Sequence, residues 1–312
     1  MSKIYAELLQ EVNNNPNLNE EQRQILRANV NRLEGQRLNV MITGGTGVGK
    51  SSTINAMFDA DVAKVGIGNE PETMDIQRYD LGNLILWDTP GLGDGPEADE
   101  RHAKNIVNKL NEYDSEGKAL IDLVLVILDG GTRDYGTSFT LINEVIIPNL
   151  KDKTRILVAI NKCDKLNPRN LADKVQSVRR RIFESTGVDI EPIYYSAGEK
   201  DAEDDEQRPY NLAKLLSFII EHTPKNKRFI YVKHLSTEKD NWKDNDEDKN
   251  YKEEIIEKTK KSFLEQLGKG LMGALAGAAA GGEIGAKFFG LVGAKIGAII
   301  GGIGGFLEGL FS

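Results

Sequence analysis

Between residues 37 and about 224, short apolar runs alternate with longer stretches of helical spacing. Runs near 37–43, 75–80, 83–88, 121–128, 155–161 and 191–195 predict strands, and stretches near 50–59, 98–112, 137–147, 168–186 and 209–222 predict helices. Such alternation implies crossover connections and a mainly parallel α/β sheet. One exception is expected: Met74–Tyr79 and Asn83–Trp87, parted by Leu81-Gly82, read as an antiparallel hairpin. Ahead of this region two helices are predicted. Ile4, Leu8, Leu9 and Val12 form the first apolar face, which Pro16 and its asparagines break. Asn19, with Gln22 three residues on, opens the second as a capping box before Ile25, Leu26, Val30 and Leu33.

After residue 224 the pattern changes. Thr223 to Arg228 is a basic break, and Phe229–Val232 predicts a short strand. Lys239 to Asn250 is nearly all charged or polar, as in a solvated linker. Tyr251–Leu267 is amphipathic, with Ile255, Ile256, Phe263 and Leu267 on one side. Glycine then recurs at 273, 277, 281, 285, 293, 297, 301, 305 and 309, with Phe289 breaking the series. Glycine at every fourth position makes a groove where another helix backbone can approach. Four regions follow: N-terminal helices at 1–36, an α/β domain at 37–224, a charged linker at 225–250, and an amphipathic helix with a glycine-zipper tail at 251–312.

Composition sharpens this picture in three respects. A charged share of 28% and a hydrophobic share of 39% suit a soluble domain, and the net charge of −8 gives no strong sign of nucleic-acid binding. The single cysteine, Cys163, excludes an intramolecular disulfide and a zinc cluster, and is read as a small buried side chain in a reducing compartment. The N-terminus has no apolar run, so no signal peptide and a cytoplasmic location are expected.

Candidate chemistry lies at the ends of the predicted strands. Gly44-Gly45-Thr46-Gly47-Val48-Gly49-Lys50-Ser51-Ser52 has the spacing G-x-x-x-x-G-K-[ST] between a strand and a helix. Its glycines allow successive N–H groups to face phosphate oxygens, and the helix adds its positive N-terminus. Lys50 would reach the β- and γ-phosphates, and Ser51 would ligate Mg²⁺. By itself the pattern also arises in flexible glycine loops. Ile85-Leu86-Trp87-Asp88-Thr89-Pro90-Gly91 ends a strand in D-x-x-G; Asp88 would face the Mg²⁺ and the Gly91 N–H the γ-phosphate. Asn161-Lys162-Cys163-Asp164 is N-K-x-D after a buried strand. The Asp164 carboxylate can accept from N1–H and N2–H₂ of guanine, a donor pair that adenine lacks. Asn161 would tie this motif to the phosphate loop, and the Lys162 stem would lie over the base. Backbone at Ser196-Ala197 would meet the guanine O6. Thr73, between the phosphate loop and Asp88, is the candidate for completing the Mg²⁺ shell. Alone, each shorter motif reads as a polar turn after a strand; their order is what carries the reading.

In that order and approximate spacing, the motifs resemble the translation-factor-related GTPases over residues 37–224. Gly44–Ser52 and Trp87–Gly95 look like the Era-like GTPases, especially the bacterial YfjP-like group. The resemblance implies a Ras-like fold, GTP/GDP and Mg²⁺ as ligands, and slow hydrolysis. Two departures limit it. Leu92 stands where Ras-type relatives carry a water-orienting glutamine, so no catalytic residue is assigned. Gly47 stands where some potassium-stimulated relatives have asparagine, which argues against potassium activation.

The tail from Gly268 admits three readings: a membrane-inserting helical hairpin, helix-on-helix packing in a soluble assembly, or a disordered appendage. Regular spacing argues against the last, and membrane association is favoured over soluble packing, although Glu283, Lys287 and Lys295 interrupt every simple span. The expectation is a GTP-binding switch with slow GTPase activity, segments near 60–74 and 91–100 responding to the γ-phosphate, and a membrane- or self-association module. The rivals are a membrane-oligomerising mechanochemical GTPase, a ribosome-associated assembly factor, and a nucleotide-binding module that scarcely hydrolyses.

Overall fold

Seven consecutive residues, Leu38–Gly44, form strand β1, and all seven are buried. Strands covered on both faces favour apolar residues at most positions, which is also why β4 (Leu123–Asp129) and β5 (Ile156–Asn161) read as apolar runs up to their last residue. In the computed structural model, which describes residues 3–14, 16, 18–58, 76–132, 135–164, 166–198, 209–236, 239–242 and 250–269, β1 is followed by helix α3 (Lys50–Phe58). Next come strands β2 (Gln77–Leu81) and β3 (Leu84–Asp88), then helix α4 (Pro96–Leu110). Helix α7 (Pro168–Thr186), strand β6 (Ile193–Tyr194) and helix α8 (Leu212–His222) complete the series.

The six strands lie in the order β2-β3-β1-β4-β5-β6. All neighbours are parallel except β2 and β3, which form the expected hairpin through a turn with Gly82 at φ +83°. The chain leaves β1 for β3 on one side and returns to β4 on the other. That reversal opens a crevice beyond the carboxyl end of β1, the usual ligand site of such sheets. Alternate residues of β4 and β5, including Val124, Val126, Val158 and Ile160, pack in one core with Ile106 and Leu110 of α4 and Val178 and Ile182 of α7.

Local departures have physical causes. The 137–147 stretch is a composite: α5 (Gly136–Thr140), a widened π-type turn over Leu141–Ile146, and α6 (Ile147–Asn149). Pro148 follows the widened segment and has no N–H for a helical bond. Phe229–Val232, expected as a strand, lies in helix α9 (Arg228–Val232); a short apolar run does not distinguish the two. Within the expected linker, Asn241 and Trp242 are buried. Ser236 N–H donates to Met57 O (2.7 Å) and Asn241 Nδ2 to Ala56 O (2.8 Å), so this segment takes up carbonyls at the C-terminal end of α3.

Two compact units are present. The α/β unit comprises Leu38–Thr223 and His234–Lys252. The other holds Met1–Arg37, Pro224–Lys233 and, among the described residues, 253–269. It contains α1 (Lys3–Asn14), α2 (Glu20–Glu34), α9 and α10 (Tyr251–Leu267, whose first two residues lie in the α/β unit). The Asn19–Gln22 capping box opens α2 as expected. At the centre of this unit the Tyr5, Phe229 and Phe263 rings pack with centroids 5.2–6.4 Å apart. Asn29 Nδ2 donates to the carbonyls of Leu267 and Lys269, and Arg32 to that of Gln266, closing the last turn of α10.

Candidate nucleotide site

The phosphate loop begins where β1 ends. Gly44, Gly47 and Gly49 have φ of +146°, +74° and +94°, conformations that a side chain disfavours. Gly49 has a second constraint, since a Cβ there would overlap the Asn161 side chain. Val48 is buried under the loop beside Gly44 and Gly45. Lys50 opens α3, and its ammonium is held by the carbonyls of Gly44 (3.3 Å) and Gly45 (3.0 Å). Ser51 and Ser52 follow, half-buried, in the first turn of α3. One turn on, Thr53 Oγ1 bonds Gly49 O and the Tyr195 hydroxyl, each at 2.7 Å, tying α3 to the end of β6.

β5 delivers the second cluster. Asn161 is buried, its Nδ2 donating to Val48 O (2.9 Å) and its Oδ1 accepting from the Ala197 N–H (3.0 Å). One amide therefore joins the phosphate loop, the N-K-x-D turn and the Ser196-Ala197 segment. Lys162 has a left-handed backbone, φ 60°, and its ammonium reaches Gly47 O and the Asp129 carboxylate, both at 2.7 Å. Asp164 lies half-buried in the turn that follows. Ser196 is held by a two-way backbone bridge with Tyr210. Cys163 is buried, and burial pushes its thiol up to about 12, so it is an inert packing residue.

Asp88 ends β3 opposite Ile42 of β1. It is buried, its Oδ1 has no hydrogen-bond partner, and burial raises its pKa to about 6 despite the attraction of Lys50. Burial likewise lowers the Lys50 pKa, with Asp88 and then Asp94 pulling the other way. A buried carboxylate with an unbonded oxygen, Asp88 at the end of β3, and a serine hydroxyl, Ser51 in the first turn of α3, are donors of the kind that suits Mg²⁺, which takes one or two protein ligands beside phosphate oxygens. Among the described residues no group of three or more His, Cys, Asp or Glu could hold a metal ion. Thr73 lies outside the described residues, as does most of the 60–74 segment.

The segment after Asp88 adds residues that the motifs do not name. Gly91 backbone lies against Thr46 so closely that no Cβ would fit. His102 of α4 is buried with Nδ1 3.0 Å from Gly91 O, which requires the Nδ1–H tautomer, and its Nε2 is unpartnered. Thr46 Oγ1 donates to Asp94 Oδ1 (3.0 Å) and Thr46 N–H to Leu92 O (3.4 Å). Leu92 itself is packed in the core with Ile106 and Leu110, so its side chain is structural. The signal for His102 was in the spacing: residues 102, 106 and 110 share the buried face of α4. Nothing local marks the Thr46–Asp94 pair.

Residues 39–162 match the family model described as 50S ribosome-binding GTPase. The chain is 37% identical over 101 residues to translocase of chloroplast 125 of Physcomitrium patens, covering 31% of this chain and 9% of that protein. It is 24% identical over 237 residues to interferon-gamma-inducible GTPase 10 of Mus musculus, covering 68% and 50%. The chain thus spans half or less of the length of these curated relatives. Era from Aquifex aeolicus, bound to GDP and aluminium fluoride, aligns over 61% of this chain and 57% of that one at 22% identity and a TM-score of 0.43. The match to residues 39–162, the sheet order and the phosphate loop together give the α/β unit the Ras-like fold of P-loop GTPases.

Proposed function

We propose that this chain is a guanine-nucleotide switch that hydrolyses GTP slowly to GDP and phosphate. The observation that carries the reading is the Asn161 side chain, which fixes the turn bearing Asp164 to the phosphate loop through Val48 and to Ala197. Base and phosphates of one nucleotide are then read from a single rigid frame. Asp164 selects guanine through its paired N–H donors. The loop N–H groups and Lys50 neutralise the phosphates, and the Gly91 N–H meets the terminal one. When bound, Mg²⁺ would supply charge neutralisation to the phosphates. Asp88 and Ser51 are the residues that would hold it, with Thr73 as a further candidate. Water from bulk forms a new O–P bond to the γ-phosphorus as the P–O bond to GDP breaks, its proton passing to the released phosphate or to solvent, and Leu92, packed in the core, has no polar group to orient that water, which keeps unassisted turnover low. The YfjP-like grouping within the Era-like GTPases rests on the Gly44–Ser52 and Trp87–Gly95 motifs. In this reading the protein is cytoplasmic, and its tail from Gly268 is a membrane- or self-association module.

Asp164→Asn tests the guanine assignment. The variant is expected to lose GTP and GDP affinity by about 100-fold, the scale of one charge-assisted bidentate pair, and to gain xanthine nucleotide. Unchanged GTP binding, or wild-type protein that binds ATP as well as GTP, would sink the assignment.

A further inference from the structure

The contacts across the phosphate loop point to a use for Asp94. We propose that the Asp94 carboxylate is a built-in competitor of the terminal phosphate, latching segment 91–95 onto Thr46 until a γ-phosphate displaces it. The proposal rests on the guanine-nucleotide reading above.

The segment is anchored on its far side by α4. The Asp99 carboxylate accepts from the Gly93 N–H (2.8 Å) and the Asp94 N–H (3.2 Å). His102, one turn along, holds Gly91 O (3.0 Å). Gly93 and Gly95, at φ +119° and +113°, bend the backbone at these anchors and at the entry to α4. With its backbone fixed, Asp94 turns its side chain to the phosphate loop and accepts from Thr46 Oγ1 (3.0 Å), while Leu92 O takes the Thr46 N–H. The result places a fixed carboxylate beside Thr46, with a field that reaches the Lys50 ammonium.

Lys50 is also the group that meets a terminal phosphate. A γ-phosphate arriving there brings negative charge next to Asp94, and the two repel. GDP carries no group in that position and leaves the latch closed. Binding of the triphosphate must therefore break the Thr46–Asp94 bond and loosen the hold of segment 91–95 on the phosphate loop, while Asp99 and His102 keep it on α4. The pair thus penalises GTP relative to GDP and couples the third phosphate to movement of the segment.

Asp94→Asn is the direct test, because the amide keeps an oxygen for Thr46 and loses only the charge. Dissociation constants for GDP and for a non-hydrolysable GTP analogue would be measured on the full chain with Mg²⁺. The ratio of analogue to GDP constants is expected to fall about fivefold in the variant, the upper scale of a screened charge pair, chiefly through tighter analogue binding. In the wild type, added salt should move the ratio towards the variant's value. An unchanged ratio, or weaker analogue binding in the variant, overturns the latch while leaving the guanine reading intact. Wild-type chain that binds neither nucleotide removes that reading and the latch with it.

Discussion

Asp88 carries a local cost in the folded chain. Its carboxyl is buried with one oxygen unbonded, and burial lifts its pKa from 3.8 to about 6, part of the shift being offset by Lys50. A raised folded-state pKa means that the folded chain holds the proton more tightly than the unfolded chain. The stabilising contribution is full below about pH 4 and is lost as pH rises through about 6. Above pH 6, in nucleotide-free and metal-free protein, Asp88 is a buried charge with one neighbouring cation. Asp88→Asn is therefore expected to raise unfolding stability at pH 8, by at most about 3 kcal/mol, with the gain shrinking towards pH 4. Urea unfolding at both pH values without Mg²⁺ checks this, and a variant no more stable at pH 8 refutes it. If Asp88 holds Mg²⁺ as proposed, the sign is expected to reverse with Mg²⁺ and nucleotide present, because the variant lacks the anionic group. Asp88 itself was legible because D-x-x-G follows a readable strand. His102 was legible only as a position on the buried face of α4, and the Asp94 contact was not legible, since its partner Thr46 lies 48 residues away and meets it only in the folded chain.

At the scale of elements, the phosphate site depends on α3 being held at both ends. Its N-terminal turn carries Lys50 and Ser51, and its terminal carbonyls at Ala56 and Met57 are taken by Asn241 and Ser236. Asn241 also donates to Ser236 Oγ (2.7 Å), and Trp242 Nε1 to Ser236 O (2.8 Å), so the short 236–242 stretch is itself braced. Asn241→Ala removes two bonds of one buried amide and should cost about 1–2 kcal/mol in urea unfolding. A cost below about 0.3 kcal/mol would mean that water replaces the amide and the segment does not support α3. Composition hid this role: Lys239 to Asn250 is so polar that a solvated linker is the natural inference, and its acceptor is 185 residues upstream. The parallel strands were legible for the opposite reason, since burial on both faces writes itself into the sequence as runs such as Leu123–Leu128. Where packing decided the local shape, as in α9 with Phe229 between Tyr5 and Phe263, periodicity had nothing to read.

Across the whole molecule, the described chain reaches α10 and Lys269, where Asn29 and Arg32 of α2 take up the last carbonyls of the helix. The glycine series lies beyond that anchor and outside the described residues. Among the described residues no helix is long and apolar enough to cross a membrane. The sequence from Gly270 to Gly282 is uncharged, and its small residues let helices approach closely in lipid as in a soluble bundle. Truncation after Lys269 separates the two, because it removes the series and leaves the Asn29–Lys269 contact intact. Full-length chain is expected to float with liposomes and the truncated chain to remain at the bottom of the gradient, with equal GDP affinity in both. Equal flotation of the two forms would take the membrane role away from the tail. A full-length chain that stays down but sediments as a larger species than the truncation would assign the glycine groove to self-association in water.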